Sequence, residues 1–319
     1  MSNITRTCRT AGLPACLATA LMVCAFAVGC RTIPKQQAYG SPEAAVGALI
    51  AAVRTNDTGT LSLILGPGAD EVLSSGDETD DVVGHAKFLA LYDEKHGLVK
   101  DGENKVEIVV GKAEWPFPIP AVKGREGWVF DTKAGMDEVL DRRVGRNELQ
   151  TIQALLAIVD AQREYAMKDR DGDGIIEYAS KFRSTPGSKD GLYWEAAGGG
   201  EPSPLGLMAA QAQKEHYVAK MPEEGLQPYH GYIFRILAKQ GPHARGGAFD
   251  YMVNGNMIGG FAVVASPAQY GNSGVMTFMV NYNGIVYQKD LGEDTEEIAA
   301  RMDSFDPDET WRKARQTIE

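Results

Sequence analysis

The chain has 319 residues with 43 acidic and 32 basic side chains, giving a net charge of −11 at pH 7. This acidic balance disfavours nucleic acid as a partner, because the phosphate backbone repels a negative protein. All four cysteines, Cys8, Cys16, Cys24 and Cys30, lie within the first thirty residues. The chain after Cys30 therefore has no disulfide, no thiol nucleophile and no cysteine metal site.

The first 29 residues predict a secretory signal peptide. Arg6 and Arg9 are the only charged side chains before Cys30, and an apolar stretch runs from about Ala11 to Val28. A basic start, an apolar core and a boundary of small residues are the marks of an export signal. The apolar core is short and interrupted, whereas a membrane-spanning helix needs about 20 apolar residues.

The sequence Ala27-Val28-Gly29-Cys30 resembles a bacterial lipobox, although Ala27 stands where leucine is commonest. The resemblance implies cleavage before Cys30 and lipidation of its sulfur, with acyl chains contributing about 0.8 kcal/mol per buried methylene. Arg31 favours the outer membrane over retention at the inner one. We therefore expect a signal peptide over residues 1–29, a lipidated tether over 30–40 and an envelope protein facing the periplasm. Ordinary secretion and an uncleaved anchor are the alternatives.

Removal of residues 1–29 takes away two arginines and no acids, which leaves 30 basic against 43 acidic residues and a charge of −13. The remaining chain is long enough for one large domain or two ordinary ones. Nothing else in it has the composition of a membrane span.

Residues 41–143 predict an α+β domain with helices before strands. Ser41 fits an N-cap and Pro42 the first helical position, and apolar residues follow at helical spacing to Val53. Further helices are predicted over 58–65 and 80–96. Alternating residues predict strands over 106–110 and 127–130, whereas the prolines in 115–120 restrict that segment to a sheet edge. This region resembles the NTF2-like (cystatin-like) cone fold.

Residues 144–319 predict a long helix followed by an antiparallel sheet. Asn147 and Gln150 have capping-box spacing, which predicts a helix start there, and an apolar stripe is expected along Leu149, Ile152, Leu156 and Val159. Asn-Gly pairs at 254 and 283 predict hairpin turns, and Asp294 with Glu297 predicts a final capped helix. A loop is predicted over 183–204 and a short helix over 204–217. Strands are predicted over 232–237, 248–253, 257–265, 275–280 and 285–290. The arrangement resembles the globular half of pseudopilins, without the pilin processing motif.

Several segments share a more specific resemblance. They are Ala38-Tyr39-Gly40-Ser41-Pro42-Glu43-Ala44-Ala45, Asp169–Ala179, Gly191-Leu192-Tyr193-Trp194, Pro228-Tyr229-His230-Gly231-Tyr232 and the run from Gly259 to Gly292. Together they resemble a bacterial family named domain of unknown function 2950, over about residues 38–313. The resemblance implies an exported bacterial protein and brings no activity with it.

The segment from Asp169 to Glu177 has the calcium-loop pattern D-x-D-x-D-G. Asp169, Asp171 and Asp173 would supply carboxylates, Ile175 its carbonyl oxygen and Glu177 the ninth position, while Ile176 would face inward. Ser180 stands where an EF-hand has a bidentate glutamate, so the affinity should be lower unless a further acid such as Asp190 completes the shell. We expect a structural Ca²⁺ site at these five residues; the alternative is a solvated acidic turn.

Other candidates are weaker. His230 could act as a general base, but a histidine amid tyrosines is more often a packed, hydrogen-bonded group. Ser273 lies in Gly-Asn-Ser-Gly, which lacks the spacing of a nucleophile elbow, and no histidine has zinc-ligand spacing. Four aromatic residues could line a pocket in a cone-shaped sheet or form ordinary core: Trp115, Phe117, Trp128 and Phe130.

The sequence shows no credible nucleophile, no acid–base pair of side chains and no set of transition-metal ligands. It therefore favours a protein that is not an enzyme but leaves enzymatic activity open. We expect a non-enzymatic binding or assembly role in the cell envelope, with the membrane as partner through Cys30 and a possible envelope protein as a second. The first alternative is an envelope hydrolase that uses carboxylates and His230, since paired acids need no sequence signature. The second is small-ligand binding in the N-terminal cone.

Overall fold

The computed structural model describes residues 35–196, 200–214 and 227–315, without the side chains of 212 and 213. The expected signal peptide and Cys30 lie outside the described residues, as does most of the expected tether. The described chain mixes α-helices with antiparallel sheets, which confirms the α+β class. Among the described residues, no helix is both long and apolar enough to cross a bilayer.

Four helices open the described chain. Ser41 Oγ accepts a hydrogen bond from the Ala44 amide at 3.2 Å and so caps the first helix, as predicted. The helix predicted over 80–96 begins earlier, because Asp77 caps it through the amides of Thr79 and Asp80. The helices are α1 Pro42–Arg54, α2 Thr58–Leu65, α3 Ala69–Leu73 and α4 Glu78–Glu94.

The first sheet has five antiparallel strands in the order β1-β2-β4-β5, with β3 paired to β2. β3 pairs with β2 alone, through Trp115 and Pro116, as expected for a proline-containing segment. The first strand was not predicted; it contains Gly97, and glycine is depleted in strands. The strands are β1 His96–Lys100, β2 Lys105–Val110, β3 Trp115–Pro116, β4 Ala121–Lys123 and β5 Trp128–Phe130.

An N-terminal core forms where α1 and α2 pack on this sheet. Apolar residues of α1 such as Leu49 and Ile50 share one buried cluster with Ile64 of α2 and Ile108 of β2. Gln36 fixes the entry of the chain, because its Nε2 lies 2.8–2.9 Å from the carbonyl oxygens of residues 64, 65 and 130.

A 34-residue helix, α5, runs from Thr132 to Tyr165. Its N-cap is Asp131, whose carboxylate accepts from the Ala134 amide at 3.1 Å. The predicted start at Asn147 is therefore wrong: Asn147 lies inside the helix and is buried. The residues before it are good helix formers, and they continue the helix across the expected domain boundary at 143/144.

Two glycines of α5 give a matched test of its packing. A Cβ on Gly135 would lie 2.5 Å from the Pro118 carbonyl oxygen, whereas a Cβ on Gly145 would meet no heavy atom of a neighbour within 4 Å. We expect Gly145→Ala to stabilise the protein by about 0.5–1 kcal/mol through helix propensity. Gly135→Ala should destabilise it by about 1–3 kcal/mol through overpacking. Urea unfolding of both variants measures this, and equal shifts would contradict the packing of α5 against Pro118.

The second sheet has the antiparallel order β14-β13-β12-β11-β6. The strand predicted over 248–253 is divided into β8 and β9, and the strand predicted over 257–265 is divided into β10 and β11. As a result β7 pairs with β8, and β9 pairs with β10, in two separate two-stranded sheets. Gly260, at φ 140°, lies between β10 and β11. The remaining elements are α6 Gly206–Lys214, β6 Tyr232–Leu237, β7 Lys239–Gln240, β8 Phe249–Asp250, β9 Met252–Val253, β10 Asn256–Met257, β11 Ala262–Pro267, β12 Met276–Asn281, β13 Tyr287–Asp290, α7 Thr295–Arg301 and β14 Arg312–Lys313.

One predicted turn and one predicted helix cap can be compared with the C-terminal part of the structure. Asn254 and Gly255 both have positive φ, 54° and 96°, between β9 and β10, which is the predicted two-residue hairpin turn. Asp294 directly precedes α7, but its side chain makes no capping bond to that helix.

A C-terminal core lies between α5 and the second sheet. Ile152, Leu155, Ile158 and Val159 are buried in it, whereas Leu149 is exposed. The predicted apolar stripe is thus wrong at its first residue, and the apolar residues that α5 buries in this core begin at Ile152.

Candidate metal centre

The aspartate-rich loop follows the C-terminal end of α5. Carboxylate oxygens of Asp169, Asp171 and Asp173 all lie within 4.8 Å of one another, and the three side chains are exposed. Gly172 and Gly174 have φ of 87° and 88°, a left-handed conformation that glycine adopts without strain. The three predicted aspartates are therefore brought together by the backbone of a tight loop.

Backbone amides hold this carboxylate cluster in shape. Asp169 accepts hydrogen bonds from the amides of Gly172 at 2.7 Å and Gly174 at 2.9 Å, and these bonds lower its pKa. Asp173 accepts from the Ile175 amide at 2.8 Å. Asp169 and Asp173 are thus oriented by amides of their own loop, which reduces the cost of ordering them around a cation.

Glu177 joins the loop to β10. Its Oε2 accepts from the Met257 amide at 2.7 Å, and the neighbouring Tyr178 amide donates to the Met257 carbonyl at 2.9 Å. Partial burial raises the pKa of Glu177, the bond from Met257 opposes this, and the charges of Asp171 and Asp173 raise it further. A cation at the aspartates would relieve that repulsion.

The two isoleucines of the loop lie at the surface. Ile176 is 60% exposed and Ile175 is also exposed, so the expectation that Ile176 faces inward is wrong. The loop is attached to the body by hydrogen bonds at Glu177 and Tyr178 rather than by an apolar anchor.

Asp190, the acid considered for completing the shell, has other partners. Its carboxylate pairs with Lys181 and accepts hydrogen bonds from Thr185 and Ser188. Burial raises the pKa of Asp190, but these hydrogen bonds outweigh it and hold the pKa well below its usual range. Asp190 therefore does not take part in the aspartate cluster.

Arg170, inside the loop, points away from the aspartates. Its side chain is 4% exposed and its Nη1 lies 2.6 Å from Glu201 Oε1. Lys168 and Lys189 also pair with Glu201, and hydrogen bonds from these lysines lower the pKa of Glu201 to about 2. The loop is thus tied to the segment around Glu201 on one side and to β10 on the other.

His230 occupies a strained turn. It is 8% exposed with φ 51°, and together with Gly231 it forms a two-residue turn closed by hydrogen bonds between Tyr229 and Tyr232. Its ring centroid lies 4.1 Å from that of Tyr229. A left-handed conformation is uncommon outside glycine, although histidine adopts it more readily than most residues.

Ser273 is buried, and its hydroxyl accepts from the Gln269 amide at 2.9 Å while donating to the Gln269 carbonyl. These bonds stabilise a local turn, which agrees with the prediction that this segment is a loop.

The four aromatic candidates separate into two groups. Phe130 is buried, and Phe117 and Trp128 pack partly buried against the N-terminal core. Trp115 is 57% exposed, with the Arg142 guanidinium 5.3 Å from its ring centroid. The core interpretation therefore holds for three of the four.

The described residues form a mixed α and β protein with two five-stranded and two two-stranded antiparallel sheets. An acidic loop follows its longest described helix, α5. Comparison with known proteins places it further: the family described as "Protein of unknown function (DUF2950)" matches residues 36–314. The chain belongs to that family. The chain matches neither a curated protein nor a solved structure.

Proposed function

We propose that this protein is a lipid-anchored component of the bacterial cell envelope with a non-enzymatic binding or assembly role, and that Ca²⁺ clamps its fold. The convergence of three carboxylates in the loop at Asp169–Asp173 carries the calcium part. The leader and Cys30 support the anchor.

The surroundings of the loop support a structural role for the ion. The loop connects α5 to β10 through Glu177 and to the segment around Glu201 through Arg170. A cation bound by the aspartates would fix the loop and, with it, both of these attachments. Calcium is the expected ion, because exposed carboxylate and carbonyl oxygens suit a hard cation that tolerates irregular geometry.

The ligand set supports modest affinity. Asp169, Asp171 and Asp173 are joined by the Ile175 carbonyl and Glu177 as the remaining proposed ligands. Ser180 replaces the bidentate glutamate of an EF-hand. We therefore expect a Kd in the range of extracellular modules, roughly 10⁻⁴–10⁻³ M.

Calcium should raise the melting temperature of the body. With 10-fold more Ca²⁺ than the Kd, ligand linkage stabilises the folded state by about 1.4 kcal/mol. This corresponds to a rise of roughly 2–3 °C for a body of this size. Differential scanning calorimetry with millimolar Ca²⁺ and with chelator measures the rise.

The double variant Asp171→Ala/Asp173→Ala should lose the calcium-dependent rise entirely. Asp160→Ala is the matched control, because Asp160 is an exposed acid of α5 that pairs only with Arg163 among the described residues; it should keep the rise. Identical melting curves of the unaltered protein with calcium and with chelator would refute the site.

We also propose an NTF2-like cone for the N-terminal part and a pilin-like arrangement for the C-terminal part. The packing of α1 and α2 on a sheet supports the first. The long α5 packing on an antiparallel sheet that follows it supports the second. An experimental structure that superposes on neither fold would reject these two assignments.

A hydrolase that uses His230 is the second candidate. The observation in its favour is the backbone of His230, because left-handed non-glycine residues occur at functional sites. A hydrolase screen comparing the unaltered protein with His230→Asn tests it, since asparagine tolerates the left-handed conformation. Activity lost in the variant would favour the enzyme.

A further inference from the structure

Three side chains on one face of α5 bury oxygen atoms that have no hydrogen-bond donor among the described residues. They are Asn147 Oδ1, Gln150 Oε1 and Thr151 Oγ1. Their spacing of three and four residues places them within one turn on the same helix face. Asn147 and Thr151 are 0% exposed, so bulk water does not reach these atoms.

The position of this face is fixed by its neighbours. Asn147 Nδ2 donates to the Ser273 carbonyl at 2.9 Å, which sets the orientation of the amide and leaves Oδ1 as the acceptor that lacks a donor. A Cβ on Gly231 would lie 2.6 Å from Asn147 Nδ2, so the 230–231 turn rests directly on Asn147. The Gly231 amide in turn donates to buried Asp77 at 3.0 Å.

Polar atoms in protein interiors are almost always hydrogen-bonded, either to protein or to ordered water. A buried water typically makes two to four bonds to groups that otherwise lack partners. Two amide oxygens and a hydroxyl within one helical turn supply that number of partners. A single isolated hydroxyl supplies only one partner, which is too few to hold a buried water.

We propose that this face of α5 is a binding site for ordered water, held by Asn147, Gln150 and Thr151 beneath the 230–231 turn. The water donates one hydrogen to each of the two amide oxygens and accepts a hydrogen bond from the Thr151 hydroxyl.

The substitution Thr151→Val tests this through the sign of its effect. Valine has nearly the shape of threonine, so removing a hydroxyl that binds water should lower the melting temperature, by roughly 2–4 °C. Removing a hydroxyl that binds nothing should raise it, because an unsatisfied buried group is lost.

Thr277→Val is the matched control. The Thr277 hydroxyl is also buried and has no hydrogen-bond partner among the described residues. By strand alternation it lies on the face of β12 opposite Phe278. Phe278 belongs to the C-terminal core and contacts Tyr232. We expect this control to raise the melting temperature or leave it unchanged.

A fall for Thr151→Val alone, with a crystallographic water within 3.5 Å of Asn147 Oδ1 and Thr151 Oγ1, supports the proposal. A rise for both variants, or a high-resolution crystal structure of the unaltered protein without that water, overturns it. If Thr151→Val does not fold, the crystal structure of the unaltered protein decides alone.

Discussion

Replacing Cys30 by serine is expected to move the protein from the membrane fraction to the soluble fraction. A serine oxygen does not accept the lipid that a lipobox cysteine receives, so the acyl chains are lost. A single chain gives marginal binding and several chains give stable anchoring. Cell fractionation and the intact mass of the purified protein measure the change.

Cys24→Ser is the control for this experiment. Cys24 lies in the expected apolar core of the signal peptide, upstream of the cleavage point, so the mature protein should be unchanged in mass and location. If the unaltered protein retains its first 29 residues, or carries an unmodified sulfur at Cys30, the anchor hypothesis fails. Those two results correspond to an uncleaved anchor and to ordinary secretion.

The sequence predicted best those elements whose signals are local. Ser41 and Pro42 determine the start of α1, and Gly66 ends α2 at the predicted place. The aspartate loop was found in the same way, because the spacing of Asp169, Asp171 and Asp173 is sufficient to bring their oxygens together. In each case the interactions span only a few residues.

The predictions that were wrong concern residues whose positions are determined by contacts with distant parts of the chain. Asn147 and Gln150 have capping-box spacing, but Asn147 serves instead as a buried donor to Ser273, 126 residues away. Ile176 was expected to pack inward, whereas the loop is attached to Met257 by one hydrogen bond that Glu177 accepts and one that Tyr178 donates. Neither contact has a local signature.

The least predictable feature is the polar contact that α5 makes with two distant segments through Arg143. The Arg143 guanidinium donates to the Glu71 carbonyl at 2.8 Å and to the Val72 carbonyl at 2.6 Å, and it also contacts Asn272 Oδ1. Asn272 Nδ2 donates to the Ser74 carbonyl at 2.8 Å. In the sequence, Arg143 is one of two adjacent arginines on a charged helix, and nothing marks it as buried.

This contact joins regions that belong to different apolar cores. Residues 71–74 adjoin the N-terminal core, and Asn272 lies in the loop between β11 and β12 of the C-terminal sheet. Burial lowers the pKa of Arg143, while the charge of Asp81 opposes that effect. The guanidinium stays protonated near neutral pH, because its unperturbed pKa lies above 12.

We therefore expect Arg143→Ala to destabilise the protein by about 1–3 kcal/mol, because it leaves three partly buried acceptors without this donor. Arg142→Ala is the matched control on the same helix. Arg142 pairs at the surface with Glu138 at 2.6 Å, an exposed contact worth at most about 1 kcal/mol.

Urea unfolding followed by tryptophan fluorescence reports on the N-terminal core through Trp128 and on the C-terminal core through Trp194. Because Arg143 connects the cores, its loss should also lower the m-value or split the transition in two. If both variants unfold at the same urea concentration as the unaltered protein, Arg143 does not stabilise the connection between the cores.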